Sequence, residues 1–447
     1  MTKITNPALY DLIGIGFGPS NLALAIALEE QRATHGPIST LFLDKQSDYH
    51  WHGNTLVSQS DLQISFLKDL VSLRNPRSPY SFINYLHKHQ RLVNFINLGT
   101  LYPCRMEFND YLRWTASHFK TLCQYGQEVQ AIEPVKRNGI VEILRVVARN
   151  AEGVEQCHEA KSVVVSTGGK PHIPEPFRCL KDDPRIFHHA NYKPGIRALG
   201  ITPSVPMRIA IIGGGQSAAE AFIDLNDCYP SVSVDWIIRG SSVKPSDDTP
   251  FVNEIFDPEF TDLIYRQGPA ERACHIKEYK NTNYAVVDLD LIERIYGIYY
   301  LQKVEGHVRH RYRRLMEVKQ ARAESDGVSL ELKDKVNGEI CRDRYDAVIL
   351  ATGYDRDLRH ELLSEVDQYL GDYTVGRDYR LYADSRFKPA IYMQGFCEPT
   401  HGLSDTLLSV LPYRSEEIAL SLHDYLRHQY QYTSLEDEAV TVGAVQG

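Results

Sequence analysis

Two stretches of the chain share one pattern of apolar and polar positions: a short apolar run, a cluster of glycines, then an apolar run with helical spacing. The first passes from Tyr10–Ile15 (YDLIGI) through Gly16-Phe17-Gly18-Pro19-Ser20-Asn21 into Leu22–Leu28. The second is RIAIIGGGQSAAEA, Arg208 to Ala221, with a strand at Ile209–Ile212, a turn at Gly213–Gly215 and a helix at Gln216–Asp224. Strand, turn and helix in that order predict a buried strand that delivers a glycine turn to a helix N-terminus, where unpaired N–H groups face a phosphate. In the frame G-x-G-x-x-[GA], the second unit supplies Gly213, Gly215 and Ala218. The first supplies Gly14 and Gly16 with Pro19 third, a residue that a helix tolerates in its first turn.

Further apolar runs extend this reading. Thr40–Leu43 ends at Asp44, and an acid at the end of the second strand is the ribose partner of an adenine dinucleotide. The strand after the second turn, Val232–Ile238, ends instead in Arg239, with Ser241, Ser242 and Lys244 behind it. A cation there suits the 2′-phosphate of NADPH; a solvated loop arginine is the bland alternative. Lys161–Gly168 and Asp346–Gly353 are apolar runs ending in Thr-Gly, and both read as strands at the edge of a sheet. The second unit lies between them, so it is expected to be inserted in the first. The predicted fold is α/β with two Rossmann-like dinucleotide-binding domains, the second inserted in the first, plus a small mostly helical substrate-binding region. The expected boundaries are 1–170 and 346–430 for FAD, 205–345 for NADPH with a helical segment at about 250–300, and a frayed polar tail at 431–447. The Pro-rich connection 171–206 reads as a hinge.

Composition narrows the function. A 447-residue chain with 43% hydrophobic and 24% charged residues is long enough for two or more cores, and a net charge of -9 argues against a basic nucleic-acid face. No signal peptide is visible, and the apolar helical runs fall short of the roughly 20 residues that span a bilayer. The expectation is a cytoplasmic protein without a transmembrane segment. Eight cysteines form no C-x-x-C pair and read as plain core residues, and the paired histidines (50 and 52, 87 and 89, 188 and 189) lack the spacing of a metal site. Gly215-Gln216-Ser217-Ala218-Ala219 also matches a hydrolase nucleophile elbow, yet a hydrolase has no use for two dinucleotide units.

The segment DKQSDYHWHGNTLVSQSDLQISFLKDLVSLRNPRSPYSF, from Asp44, is far more specific. With GIGFGPSN, MEFNDYLRW, GGGQSAAEAFIDL, DDTPFVNEIFDP, NTNYAVVD, ATGY and HGLSDTLLS, it resembles the flavin-dependent N-hydroxylating monooxygenases of siderophore synthesis, those acting on L-ornithine above all. The resemblance implies FAD and NADPH as cofactors and hydroxylation of the ornithine side-chain amine through a hydroperoxyflavin. It implies an FAD site at Gly14, Gly16, Gly18, Pro19, Asp44, Lys45, Trp51, His52, Gln63, Thr406, Leu407 and Leu408. NADPH falls to Gly213, Gly215, Gln216, Ser217, Arg239 and Asn283; ornithine falls to Lys68, Asn253, Glu254, Phe256 and Ser409. Asn283 and Gln63 take catalytic roles, and no metal is implied. The implied partners are L-ornithine, O2 and NADPH, with a homo-oligomer possible in principle and no nucleic acid.

Lys68 fits this physically, because it stands among Ile64, Phe66, Leu67 and Leu70, where an unpaired charge is costly and an amino-acid carboxylate would be welcome. A structural ion pair with Asp69 or another acid is the alternative. Rival activities are lysine N6-hydroxylation, Baeyer–Villiger or sulfur oxidation, and a non-enzymatic FAD/NADPH-binding redox sensor.

Overall fold

The structure, a computed structural model, describes residues 8–57 and 60–443. Six strands come first: β1 (Leu9–Ile15), β2 (Thr40–Asp44), β3 (Cys123–Tyr125), β4 (Gln127–Arg137), β5 (Ile140–Asn150) and β6 (Glu155–Val165). They form one sheet in the order β3-β2-β1-β6-β5-β4. Helix α1 (Pro19–His35) crosses between β1 and β2, which pair in parallel, as a right-handed β-α-β unit requires. β6 is long enough to serve two partners on one side. Its first half pairs antiparallel with β5, and Ser162–Val165 pair in parallel with the last strand of the chain, Ala390–Met393.

The next strands are β7 (Ile186–His188), β8 (Met207–Ile212), β9 (Val232–Ile237) and β10 (Arg311–Arg313). After them come β11 (Met316–Glu324), β12 (Gly327–Asp334), β13 (Ile340–Tyr345) and β14 (Ala347–Leu350). The second sheet is wholly parallel in the order β10-β9-β8-β14-β7, and β11–β13 make a separate antiparallel sheet beside it. The helices used below are α2 (Arg105–Ser117), α3 (Gln216–Cys228), α4 (Leu289–Glu305) and α5 (Leu411–Gly443). A helical region with Pro250–Asn253, Pro258–Tyr265 and Pro269–Tyr279 lies between β9 and α4.

Two expected boundaries are corrected here. The run at 346–353 belongs to the second sheet: Ala347–Leu350 register with Ile209–Ile212, and the Asp346 carboxylate accepts from Arg208 N–H at 2.6 Å. A strand buried on both faces reads as a continuous apolar run whichever sheet holds it, so its composition carries no address. The connection at 171–206 is no bare hinge either, because it supplies the edge strand β7 and a helix at Tyr192–Ala198. The inserted unit therefore runs wider than 205–345. Its two crossings lie side by side, since Lys170–Pro171 pair antiparallel with Tyr354–Asp355. At the C-terminus, α5 carries helical backbone through Gly443, so the tail expected to fray from 431 is helical over most of its length; residues 444–447 lie outside the described residues.

Each sheet has its own core. Leu12, Ile13, Val163, Val164 and Ile391 join α5 residues Ile418 and Leu422 around the first; Ile209, Ile211, Phe222, Trp236 and Ile349 build the second. A third cluster, rich in aromatics (Phe82, Tyr85, Phe95, Phe108, Tyr111), packs under α1 and α2. Of the cysteines expected in cores only Cys397 is buried; Cys104, Cys157, Cys179, Cys228 and Cys274 are exposed. Among the described residues no helix is long and apolar enough to cross a membrane, and no group of three or more His, Cys, Asp or Glu could hold a metal ion.

Candidate cofactor and substrate site

The two glycine turns superimpose in pattern, in a frame two residues later than expected for the first. Helices α1 and α3 begin at Pro19 and Gln216, so Gly18 and Gly215 are the residues just before each helix. The positive-φ residues that make the turns are Gly16 (φ +81°) and Gly213 (φ +138°). Gly16, Gly18 and Asn21 thus match Gly213, Gly215 and Ala218, and Pro19 is the first helical residue rather than the third small position. Gly14 lies inside β1, where a Cβ would meet the Phe42 ring at 2.3 Å, so its glycine is demanded by packing. A Cβ on Gly16 would come within 2.6 Å of Ser166 O, and one on Gly213 within 2.1 Å of Ala351 O. Only glycine satisfies both the space and the backbone sign.

Asn21, buried, holds the first turn shut. Its Nδ2 donates to Gly16 O at 2.6 Å, and its Oδ1 accepts from Gln394 Nε2 at 3.0 Å and Ser166 Oγ at 3.2 Å. Neither helix start is capped by a side chain, and a Cβ on Gly18 would meet nothing within 4 Å. Open space before an uncapped helix N-terminus on a glycine turn fits a pyrophosphate. Gly215 differs: its missing Cβ faces Ala285 Cα at 3.4 Å, so this glycine also makes room for a neighbouring loop in which Ala285 has φ +58°.

Of the other residues expected to hold FAD, Asp44 lies against the first turn. Asp44 is buried at the end of β2, with Oδ2 accepting from Phe17 N–H (2.6 Å) and Oδ1 from Gln46 N–H (2.8 Å). It ties the turn to the strand and keeps lone pairs for a further donor. Lys45 is exposed and 4.0 Å from Glu128. Trp51 donates its backbone N–H to Asn109 Oδ1 at 2.8 Å and packs edge-on against His52 and Phe108. His52, at φ +53°, is exposed by its accessible area, although neighbouring protein atoms crowd its ring. That desolvation, with Arg105 and Arg356 nearby, lowers its ring to about 4, so it is neutral at pH 7. Thr406 Oγ1 meets Tyr284 Oη at 2.5 Å, and Tyr284 also donates to Glu398 at 2.8 Å. Leu407 and Leu408 follow, half-buried. A buried ion pair between Arg414 of α5 and Asp405, at 2.9 Å, anchors this segment from behind.

Of the residues expected to hold NADPH, Arg239 stands exposed just after β9, with no ion pair among the described residues. Ser217 and Asn283 are half-buried, and their side chains have no hydrogen bond among the described residues. Gln216 is engaged. Its Oε1 accepts from Asp288 N–H (3.0 Å), and its Nε2 donates to Asp288 Oδ2 (2.8 Å) and Glu220 Oε1 (3.1 Å). Asp288 Oδ1 in turn accepts from Gln63 Nε2 at 2.6 Å. Arg105 makes a two-pronged contact with Glu220, each prong 3.0 Å, and donates Nε–H to Asp61 O at 3.1 Å. Burial pushes the Glu220 carboxyl up, against the pull of Arg105. The two dinucleotide units therefore meet across charge-assisted bonds.

The residues expected to hold the substrate divide. Asn253 donates Nδ2–H to Asp248 O at 2.8 Å, Glu254 is exposed, Phe256 half-buried and Ser409 buried. The turn Glu254–Phe256 packs against Leu403–Thr406, which brings this segment beside the FAD-side residues. Lys68 is half-buried and forms no ion pair among the described residues. Asp69 is not its partner, because that buried carboxylate accepts from Val71, Ser72 and Phe82 N–H and from Ser72 Oγ–H at 2.6–2.9 Å. Of the two readings of Lys68, the structural pair with Asp69 is thus removed. Asn21, Arg105, Glu220, Tyr284 and Asp288 escaped the sequence reading as site residues. A charged residue between alanines on a helix that packs against a strand (Ala218-Ala219-Glu220-Ala221) and an acid before an apolar helical pattern (Asp288) were the available signals.

The family model for L-lysine 6-monooxygenase/L-ornithine 5-monooxygenase matches residues 8–356. The chain is 60% identical to the L-ornithine N(5)-monooxygenase of Pseudomonas aeruginosa, over 98% of this chain and all of that one. It is 44% identical to the L-ornithine N(5)-monooxygenase of Burkholderia cepacia, over 88% and 90%. Among solved structures, the ornithine hydroxylase of Pseudomonas aeruginosa superimposes with a TM-score of 0.90 at 62% identity, covering 94% of this chain and all of that one. The ornithine N-hydroxylase of Kutzneria sp. 744, in a form with reduced FAD, NADP+ and L-ornithine, gives 0.88 at 34% identity over 93% and 99%.

Proposed function

Because the chain belongs to the L-lysine 6-monooxygenase/L-ornithine 5-monooxygenase family, we propose that it uses FAD, NADPH and O2 to hydroxylate the side-chain amine of L-ornithine. The product is N5-hydroxy-L-ornithine, destined for a hydroxamate siderophore, and the reaction takes place in the cytoplasm. One observation carries the reading: two uncapped helices on matching glycine turns, in units that meet through Gln63, Asp288 and Gln216.

FAD reduced by NADPH supplies the oxygen-activating chemistry that side chains lack. The chain's own work is binding and exclusion. The α1 N-terminus with Gly16, Gly18 and Pro19 would receive the FAD pyrophosphate, and Asp44 its ribose. Lys45, Trp51, His52, Gln63, Thr406, Leu407 and Leu408 would line its remaining length. The α3 N-terminus with Gly213, Gly215 and Ser217 would receive NADPH, with Arg239 on its 2′-phosphate and Asn283 near its nicotinamide. The Lys68 ammonium would hold the substrate carboxylate, and Asn253, Glu254 and Ser409 its other polar groups. Ornithine's amine, which like a lysine amine in water titrates near about 10.4, is mostly protonated at neutral pH, while only its lone pair reacts. Apolar neighbours such as Phe256 and Leu408 disfavour the charged form and so help release that proton. A neutral His52 adds no positive charge to the cleft.

Product analysis tests this directly. Purified protein with FAD, NADPH and O2 should give hydroxylamine from ornithine, with kcat/KM at least about tenfold above that for lysine, the discrimination one methylene allows. Equal product from lysine would transfer the assignment to lysine N6-hydroxylation. NADPH binding with no amine-dependent product would leave a redox sensor.

A further inference from the structure

We propose that Asp288 is a positioning residue that sets the orientation of the Gln63 amide and ties it to Gln216 across the two dinucleotide units. The inference rests on the reading of Gln63 and Gln216 as cofactor-facing residues.

Asp288 ends the loop that carries Asn283 and stands immediately before α4. Its two oxygens face different domains: Oδ1 accepts from Gln63 Nε2 at 2.6 Å, and Oδ2 from Gln216 Nε2 at 2.8 Å. Its backbone N–H meanwhile donates to Gln216 Oε1 at 3.0 Å. Ser246 Oγ lies 3.5 Å from Oδ1, a marginal contact. A glutamine amide has a donor end and an acceptor end, and an ionised carboxylate only accepts. Gln63 can therefore offer Asp288 nothing but its NH2, which leaves its carbonyl oxygen as the group presented elsewhere. Gln216 is fixed the same way by two bonds of opposite sense to one residue. Both short contacts involve an ionised acceptor, which makes them stronger than amide-to-amide bonds.

The expectation for Asp288→Asn follows from the same inventory. The asparagine carbonyl can accept from one glutamine, while its NH2 confronts the NH2 of the other, so one amide must turn or withdraw. Asp288→Ala removes both acceptors. Neither change replaces a residue assigned to hold FAD.

The test uses the FAD-loaded full-length enzyme, with Asp288→Asn, Asp288→Ala, Gln63→Ala and the Asp288→Ala/Gln63→Ala pair. Hydroxylamine and peroxide are measured per NADPH consumed, NADP+ affinity is measured by flavin difference absorbance, and thermal unfolding is followed alongside. In Asp288→Ala the peroxide share should rise about threefold or more, and NADP+ should bind about fivefold or more weakly through the loosened Gln216, with the unfolding temperature near the parent's; Asp288→Asn should show at least one of the two changes. Adding Asp288→Ala to Gln63→Ala should change the peroxide share no further, because residues that act through one another are not additive. Additive losses in the pair, or unchanged coupling in Asp288→Ala beside a defective Gln63→Ala, would overturn the proposal. Should Gln63→Ala itself behave as the parent, the assignment of Gln63 fails instead. NADP+ affinity then decides for Asp288, and an unaltered value in Asp288→Ala overturns its role as well.

Discussion

At the scale of single residues, charge placement separates the two cofactor units. Asp44 closes the first nucleotide strand with a buried carboxylate, and Arg239 closes the equivalent strand of the second with an exposed guanidinium. An acid would repel a 2′-phosphate; a guanidinium can clasp it with two parallel bonds. Arg239→Ala should therefore raise KM for NADPH roughly tenfold or more while leaving KM for NADH nearly unchanged, since hydrogen bonds to charged groups are worth about 1.5–3 kcal/mol. Steady-state kinetics with both nucleotides check it, and an equal loss for the two would return Arg239 to a general structural role. Lys68 shows how far residue identity alone reaches. Its apolar neighbours mark it as unusual, yet the sequence leaves Asp69 as a possible partner, and only the four donors around Asp69 remove it.

At the scale of elements, each helix N-terminus depends on what locks its turn. The first turn is locked by Asn21 of its own helix, and the second by Trp236 of the neighbouring strand, whose Nε1–H donates to Gly213 O at 2.6 Å. Asn21→Ala leaves the Gly16 carbonyl, the Ser166 hydroxyl and the Gln394 amide without their buried partner. A loss of about 2–4 kcal/mol in urea unfolding is expected, with FAD lost on gel filtration, because orphaned buried polar groups carry their full desolvation cost. Parent-like stability and flavin content would show that Asn21 does not hold the turn. The presence of both units was legible in the sequence, since a strand, glycines and a helix leave a strong local pattern. The frame of the first was not. Gly14, Gly16 and Gly18 offer two overlapping G-x-G matches, and only the sign of φ and the first helical residue distinguish them.

At the scale of the whole molecule, buried histidines couple stability to pH. Burial lowers His188 and His401 to about 4, and His189 and His310 to about 3. The hydrogen bonds agree for two of them. His310 Nδ1 accepts from Val234 N–H at 3.1 Å and its Nε2 faces Asn226 Oδ1; His188 Nδ1 accepts from Ala190 N–H at 3.0 Å and its Nε2 faces Gly353 O. A proton added at either Nδ1 would meet another donor. The unfolded chain binds that proton near about pH 6.5, above the folded values, so this stability is complete above about 6.5 and is lost as pH falls toward 4–3. Each such histidine should lower unfolding free energy by up to about 1.4 kcal/mol per pH unit within that window. Raised buried carboxyls such as Asp69 and Glu220 act in the opposite sense, so the decisive measurement is a difference. His310→Gln should flatten the fall in unfolding temperature between about pH 6.5 and 5, and an unchanged slope would count against it. The insertion of one dinucleotide unit in the other was legible from the order of the motifs, but its edges were not, because β7 is too short and β14 too uniformly apolar to declare their sheet. Their true limits carry a consequence for modularity. Pro171 and Tyr354 face each other as a paired register position, so the first unit's chain is interrupted across a single strand spacing. A two-residue turn could join them and excise 172–353 without stretching the remaining backbone. The same geometry would let one nucleotide-binding module arise by splicing a whole second module into a hairpin loop of the first.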